Sequence, residues 1–425
     1  MQDGNAPILK IPSRHSAFLA ILPSCHSAIL MFSSRLPSNL TPNRLAQTLA
    51  RLRAEGRAIV DLTESNPTRA GFQYPPDLLA PLAHSRGLAY QPCPFGLIEA
   101  RRAVAAEYAR RGISVPAERI VLTVSTSDAY SLLFKLLADP GDEVLIPRPS
   151  YPLFEHLTRF DALTARPYDL EYHGAWSIDV TSIEQALTPR TRVLVVVSPN
   201  NPTGSFVKRD ELARLAQLCA ERQIALVADE VFADYELEPG AGSNSGRVLD
   251  RDEALVFSLG GLSKSVGLPQ VKLGWIAVGG PSSLVGPALE RLELVCDTYL
   301  SVSTPVQAAT AELLERGGMV REQIHARITA NCRHLVARSA AAPASRVLRS
   351  EGGWYGVLQV PTLRPEEELV LDLLVNDSVL THPGYFFDFP RESYLVISLL
   401  PAEAEFAAGI ERLLARALHG QGRQA

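Results

Sequence analysis

The chain is poor in cysteine and methionine, and it has no long apolar run. Five cysteines, Cys25, Cys93, Cys219, Cys296 and Cys332, are scattered over 425 residues with no CxxC spacing. Neither a disulfide framework nor a zinc site is written into that pattern, and a reducing cytoplasm is the expected compartment. No apolar stretch reaches bilayer-spanning length. Basic residues are not in excess either: the formal net charge is −5 and 20% of residues are charged, which leaves no electrostatic footprint for nucleic acid. No GxGxxG occurs, and in SLGGLSKS (258–265) Ser263 rather than glycine precedes the lysine, so a nucleotide-binding P-loop is excluded. Internal repeats and low-complexity tracts are also missing.

The first thirty residues join Lys10 and Arg14 to AFLAILPSCHSAILMF, but Pro23, Cys25 and His26 break the apolar core and no small-x-small cleavage site follows. A secretory signal is therefore not expected. MFSSRLPSNLTPNRLAQTLARL opens an amphipathic helix after a Thr-Pro-Asn entry, so residues 1–30 are expected to be a non-native or flexible extension with translation starting at Met31. The length exceeds that of a usual single domain, which makes two domains the expectation.

From residue 97 helix-like and strand-like segments alternate. LIEARRAVAAEYARRG reads as a helix ending at Gly112, RIVLTVS as a buried strand, DAYSLLFKLLADPG as a helix closed by Pro-Gly, and DEVLIP as a short strand. RVLVVVS is another strand, ELARLAQLCAERQ a helix and IALVAD the next strand. This alternation predicts an α/β architecture, a mainly parallel sheet covered by helices. After about residue 300 longer helices and a few strands, GWYGVLQV and YLVISLL, predict a smaller α+β domain.

Lys264 stands in FSLGGLSKSVGLPQVKLGW, and Asp229 ends the strand-like ALVAD. A lysine able to form a Schiff base, with an aspartate able to keep a pyridine nitrogen protonated, is the minimum equipment for pyridoxal phosphate (PLP) chemistry. Three more fragments share the chain with them: YQPCPFG (90–96), VLTVSTSDAYSLLFKLLADPGDEVLIPRPSYP (121–152) and VLVVVSPNNPTG (193–204). At strand ends such as these, loops meet helix N-termini, where anions bind.

In order and spacing these fragments resemble the class I/II PLP-dependent aminotransferase family, the aspartate aminotransferase fold or fold type I, along residues 31–420. The resemblance implies a large PLP-binding domain over 76–304 and a C-terminal small domain over 305–425, with 31–75 forming an N-terminal arm and part of the small domain. It makes Lys264 and Asp229 catalytic. Ser125, Thr126 and Ser127 would cradle the phosphate together with Lys272. Tyr151 would stack on the ring, and Asn201 would donate to its 3-oxygen. Tyr90 would reach the phosphate in the neighbouring subunit of a homodimer.

Several positions depart from that family's pattern. Lys272 replaces an arginine, Ser125 a glycine, Gly261 a hydroxyl residue with Ser263 as the nearest substitute, and Phe232 a tyrosine that donates to the 3-oxygen. Val396, in YLVISLL, stands where an arginine would hold the substrate carboxylate. Arg391 and Arg69, in LTESNPTRAGF, are the candidates to replace it. The implied reaction passes an amino group from an amino acid to a 2-oxo acid, with Lys264 moving the α-proton. Two rivals use the same scaffold: a C–S or β-elimination lyase or synthase, and a transaminase for an unusual substrate. A third, a PLP-binding sensor module, lacks the helix-turn-helix it would need before residue 60.

Overall fold

The computed structural model describes residues 32–342 and 344–418. The expected start at Met31 and the extension before it lie outside these residues. Eight strands form the main sheet: β1 Ile120–Thr123, β2 Glu143–Arg148, β3 Thr164–Tyr172, β4 Trp176–Ile178, β5 Thr191–Val197, β6 Ala225–Asp229, β7 Val256–Gly261 and β8 Gly274–Gly279. Their order is β1-β8-β7-β6-β5-β2-β3-β4. Four of the seven pairings, β2–β3, β2–β5, β5–β6 and β6–β7, are parallel, and three are antiparallel.

The central strands carry continuous apolar runs because both faces are covered. Every residue of β6 is buried, as are Val193–Val197 in β5, which is why these runs show no alternation. β1 and β7 are each antiparallel to β8 and so run the same way. The carboxyl ends of β1, β2, β5, β6 and β7 therefore meet at one edge. That edge collects Ser125, Arg148, Ser198, Asp229 and Gly261, together with the loops that follow them.

Helix Thr126–Leu137 packs Ala129, Leu133 and Phe134 on the sheet. On the other side helix Thr304–Ala340 runs for 37 residues and packs against helices Ile98–Arg110 and Glu403–Leu418. Asn331 ties it to the C-terminal region by donating to the Leu399 and Pro401 carbonyls at 2.9 and 2.8 Å. A four-stranded antiparallel sheet, ordered Arg346–Val347, Tyr355–Gln359, Tyr394–Ser398 and His382–Pro383, forms the smaller α+β part. Val60–Asp61 pairs in parallel with Val379–Leu380, so the N-terminal segment joins this part.

Candidate active site

Lys264 sits in a helical turn, Leu262–Ser265, directly after β7. Two groups hold the turn's backbone: the Tyr235 hydroxyl donates to the Lys264 carbonyl, and Arg321 Nε donates to the Ser265 carbonyl at 2.8 Å. Gly261 brings this turn against the next strand, since a Cβ there would lie 3.0 Å from the Leu273 carbonyl oxygen and 3.2 Å from Gly274 Cα. A hydroxyl side chain at this position would need a wider crossing. The side chain of Lys264 is half-buried, and Nζ lies 4.8 Å from the Trp354 ring centroid and 5.6 Å from that of Phe232. Burial pulls its pKa down to about 8, and the charge of Asp229 opposes that shift.

Asp229 ends β6 with 9% of its surface exposed. Its Oδ1 accepts the Val231 amide at 3.2 Å and its Oδ2 accepts the Tyr130 hydroxyl at 3.1 Å. Burial dominates and lifts its pKa to about 6. The two hydrogen bonds and Lys264 pull it down, while Glu230 adds to the rise. Tyr130, fully enclosed on the helix after β1, is a site residue that sequence reasoning missed, because an aromatic in an amphipathic helix reads as core.

Ser125 caps helix Thr126–Leu137, its Oγ accepting the Asp128 amide at 3.1 Å. The Thr126 and Ser127 amides belong to the first turn, which has no intrahelical acceptors. Thr123 pairs with Gly274, and a Cβ on Gly274 would come within 3.1 Å of the Thr126 nitrogen. The segment carrying Lys272 therefore passes beside the helix start. Lys272 is exposed and held at φ 60°.

Asn201 is 8% exposed and its Oδ1 is buried without a partner. Asn200 instead holds the loop, accepting from the Thr203 amide and hydroxyl. Tyr151 is 37% exposed; burial, then the charge of Asp229, raises its phenol pKa. Phe232 is buried edge-on to Trp354 at 5.2 Å. The sheet edge thus brings Lys264, Asp229, Asn201, Tyr151 and the Ser125–Ser127 turn together.

The other predicted residues lie further out. Tyr90 is 74% exposed, on a loop facing Leu300–Gln307. Arg69 is half-exposed and paired with Glu64 at 3.5 Å; Ser65, on the same loop, lies beside the Tyr355 phenol, and Glu64 acts on it through space. Val396 is fully buried between Val357 and His382. In that strand pair Tyr355 faces Ser398 at one end and Gln359 faces Tyr394 at the other. Arg391 is exposed beyond Tyr394, at the end away from Trp354 and Lys264.

Residues 59–413 match the family described as aminotransferase class I and II. The chain belongs to that family. This aminotransferase is 31% identical over 390 residues to alanine aminotransferase of Mycobacterium tuberculosis, covering 86% of this chain and 87% of that one. It is 28% identical to glutamate-pyruvate aminotransferase AlaA of Escherichia coli K12, covering 87% and 93%. Among solved structures it resembles a Thermus thermophilus aspartate aminotransferase mutant, with TM-score 0.77, 25% identity and coverage of 90% and 98%. It also shares its fold with alanine aminotransferase of Pyrococcus furiosus, with TM-score 0.78, 24% identity and coverage of 87% and 95%.

Proposed function

We propose that this aminotransferase uses pyridoxal 5′-phosphate, held through Lys264 Nζ, and moves an amino group from an amino acid to a 2-oxo acid within a cytoplasmic homodimer. One convergence carries the reading: a buried carboxylate, an asparagine whose buried side-chain oxygen has no partner, and a primary amine share one sheet edge beside the N-terminus of helix Thr126–Leu137. These residues fit the cofactor. Burial lifts the Asp229 carboxylate to about 6, a rise that two hydrogen bonds and the charge of Lys264 offset only in part, and a protonated pyridine nitrogen would be a further cationic partner. Asn201 would hold the 3-oxygen, and Tyr151 would cover the ring. The Ser125, Thr126 and Ser127 turn and Lys272 would take the phosphate. Tyr90, exposed in its own subunit, would serve the neighbour's phosphate.

Bound there, PLP supplies the electron sink for the donor's α-carbon. The chain supplies the proton transfer and the electrostatics. With a pKa near 8, freed Lys264 is partly neutral at physiological pH and can take the α-proton at Nζ, then return it. Asp229 would keep positive charge on the cofactor's ring nitrogen, and the buried aromatic surround would exclude water.

The names of the two similar proteins suggest L-alanine or L-glutamate as donor and pyruvate as acceptor or product. For the donor's carboxylate we favour Arg69 over Arg391, because its loop reaches Tyr355 whereas Arg391 lies at the far end of the strand pair. Arg69→Ala should raise KM for amino acids roughly tenfold to a thousandfold, the scale of a lost charged hydrogen bond, and leave amines unaffected. Buried Val396 favours one further reading, a donor with no α-carboxylate. That reading gains if Arg69→Ala, Arg391→Ala and the double variant all keep wild-type KM for amino acids.

The function itself is tested by mixing PLP-loaded protein with L-alanine, L-glutamate and simple amines. A true donor should bleach the visible cofactor band with release of one equivalent of carbonyl product. Lys264→Ala should not turn over. A panel without any bleaching, or full turnover by that variant, contradicts the proposal.

A further inference from the structure

Lys264 Nζ has unusual company. Its partners among the described residues are two ring faces, Trp354 at 4.8 Å and Phe232 at 5.6 Å, and, through space, Asp229. The rings form an edge-to-face cluster that their neighbours pin. Trp354 meets Phe232 edge-on at 5.2 Å and Tyr235 edge-on at 5.1 Å, and Tyr235 in turn donates to the Lys264 carbonyl. The turn before Trp354 is built for this approach. Gly353 has φ 87° and its amide donates to the Tyr235 carbonyl at 2.7 Å, while a Cβ on Gly352 would lie 2.8 Å from that same oxygen.

Trp354 is 1% exposed, yet its indole nitrogen has no acceptor. A buried tryptophan usually finds one. Here packing rather than a hydrogen bond sets the ring's orientation, and that orientation turns a face toward the amine. Phe232, lacking a hydroxyl, likewise offers only its ring.

We propose that Trp354, with Phe232, is an aromatic clamp for the free Lys264 ammonium, and that Trp354 is a positioning residue for the proton transfers made by Lys264. A ring face stabilises the charged amine over the neutral one and keeps Nζ from swinging toward the other acceptors of the cleft. This rests on Lys264 being the proton-transfer group. Asp229 is the charge facing the amine. Behind the turn's backbone, Arg321 pairs with Glu107 and Asp234, and Arg111 with Glu230, so those charges largely answer one another.

The test reads Lys264 directly. In full-length protein freed of cofactor, competitive labelling of lysines across pH, followed by mass spectrometry, gives the Lys264 titration without any catalysis. Trp354→Leu should lower the Lys264 pKa by about one unit, and Trp354→Phe, which keeps a ring, by under about half a unit. In the loaded enzyme the acid limb of the kcat profile should move the same way, with kcat several-fold lower and KM unchanged. Circular dichroism and thermal melting select folded variants, and Trp354→Phe provides the reading if Trp354→Leu does not fold. A titration that is unmoved or raised in Trp354→Leu, or a change confined to KM, overturns the clamp. Loss of labelling control by Lys264 itself, seen as activity in Lys264→Ala, would instead overturn the underlying assignment.

Discussion

At the scale of single residues, Asp229 sets function against stability. Its native pKa of about 6 lies above the ordinary 3.8, so the native state binds the extra proton between these values. Stability of the cofactor-free protein therefore falls as pH rises through that window and stays lower at neutral pH. The two-unit shift bounds the effect at about 3 kcal/mol. Asp229→Asn should thus raise cofactor-free stability at pH 7 by roughly 1–3 kcal/mol, measured by urea unfolding, and flatten its pH dependence. The same change should cost several orders of magnitude in turnover, since the ring nitrogen loses its anionic partner. A less stable variant, or one that loses under about tenfold in rate, would show that Asp229 is satisfied by groups already present.

At the scale of elements, the loops at the sheet's carboxyl edge are fixed by close backbone crossings. Gly204, at φ 70°, ends the loop bearing Asn201, and a Cβ there would fall 1.9 Å from Ser350 Oγ and 2.4 Å from the Gly352 carbonyl oxygen. Gly352 also leads into Trp354, so this one crossing couples the Asn201 loop to the aromatic clamp. Gly204→Ala should destabilise by about 3 kcal/mol or more through strain and overlap together. It should also weaken PLP binding, as read by dialysis against the free cofactor. Wild-type stability and retention would mean that the crossing is slack.

Much of this architecture was legible in order and type. The β-branched runs at 193–197 and 225–229 announce buried strands, and Gly112 closes its helix at φ 73°. β3 was not legible, because TARPYDLEY mixes charge and proline along a half-exposed strand near the sheet edge. β7 was obscured by Gly260 and Gly261, which read as turn formers but here let strands and side chains approach. Lys264, Asp229 and Asn201 could be singled out because they fall in local motifs. Tyr130 and Trp354 could not, since their roles arise only when distant segments meet: Tyr130 touches a residue 99 positions away, and Trp354 lies against Lys264 across the two parts of the fold.

At the scale of the molecule, Tyr90 is exposed in its own chain, as the proposed sharing of a site between subunits requires. If Tyr90 of one subunit completes the other's phosphate site, Tyr90→Ala and Lys264→Ala proteins, each impaired alone, should regain activity when mixed and allowed to exchange subunits. The hybrid dimer contains one site with both residues intact. No recovery, under conditions where exchange is shown by mass, would mean that each subunit works alone. The central claim is that Lys264 carries the cofactor, and borohydride reduction of the PLP-loaded protein followed by peptide mapping tests it most directly. A phosphopyridoxyl group on the peptide containing Lys264, and on no other lysine, is the predicted result; a label elsewhere, or none on a protein that still transaminates, would contradict it.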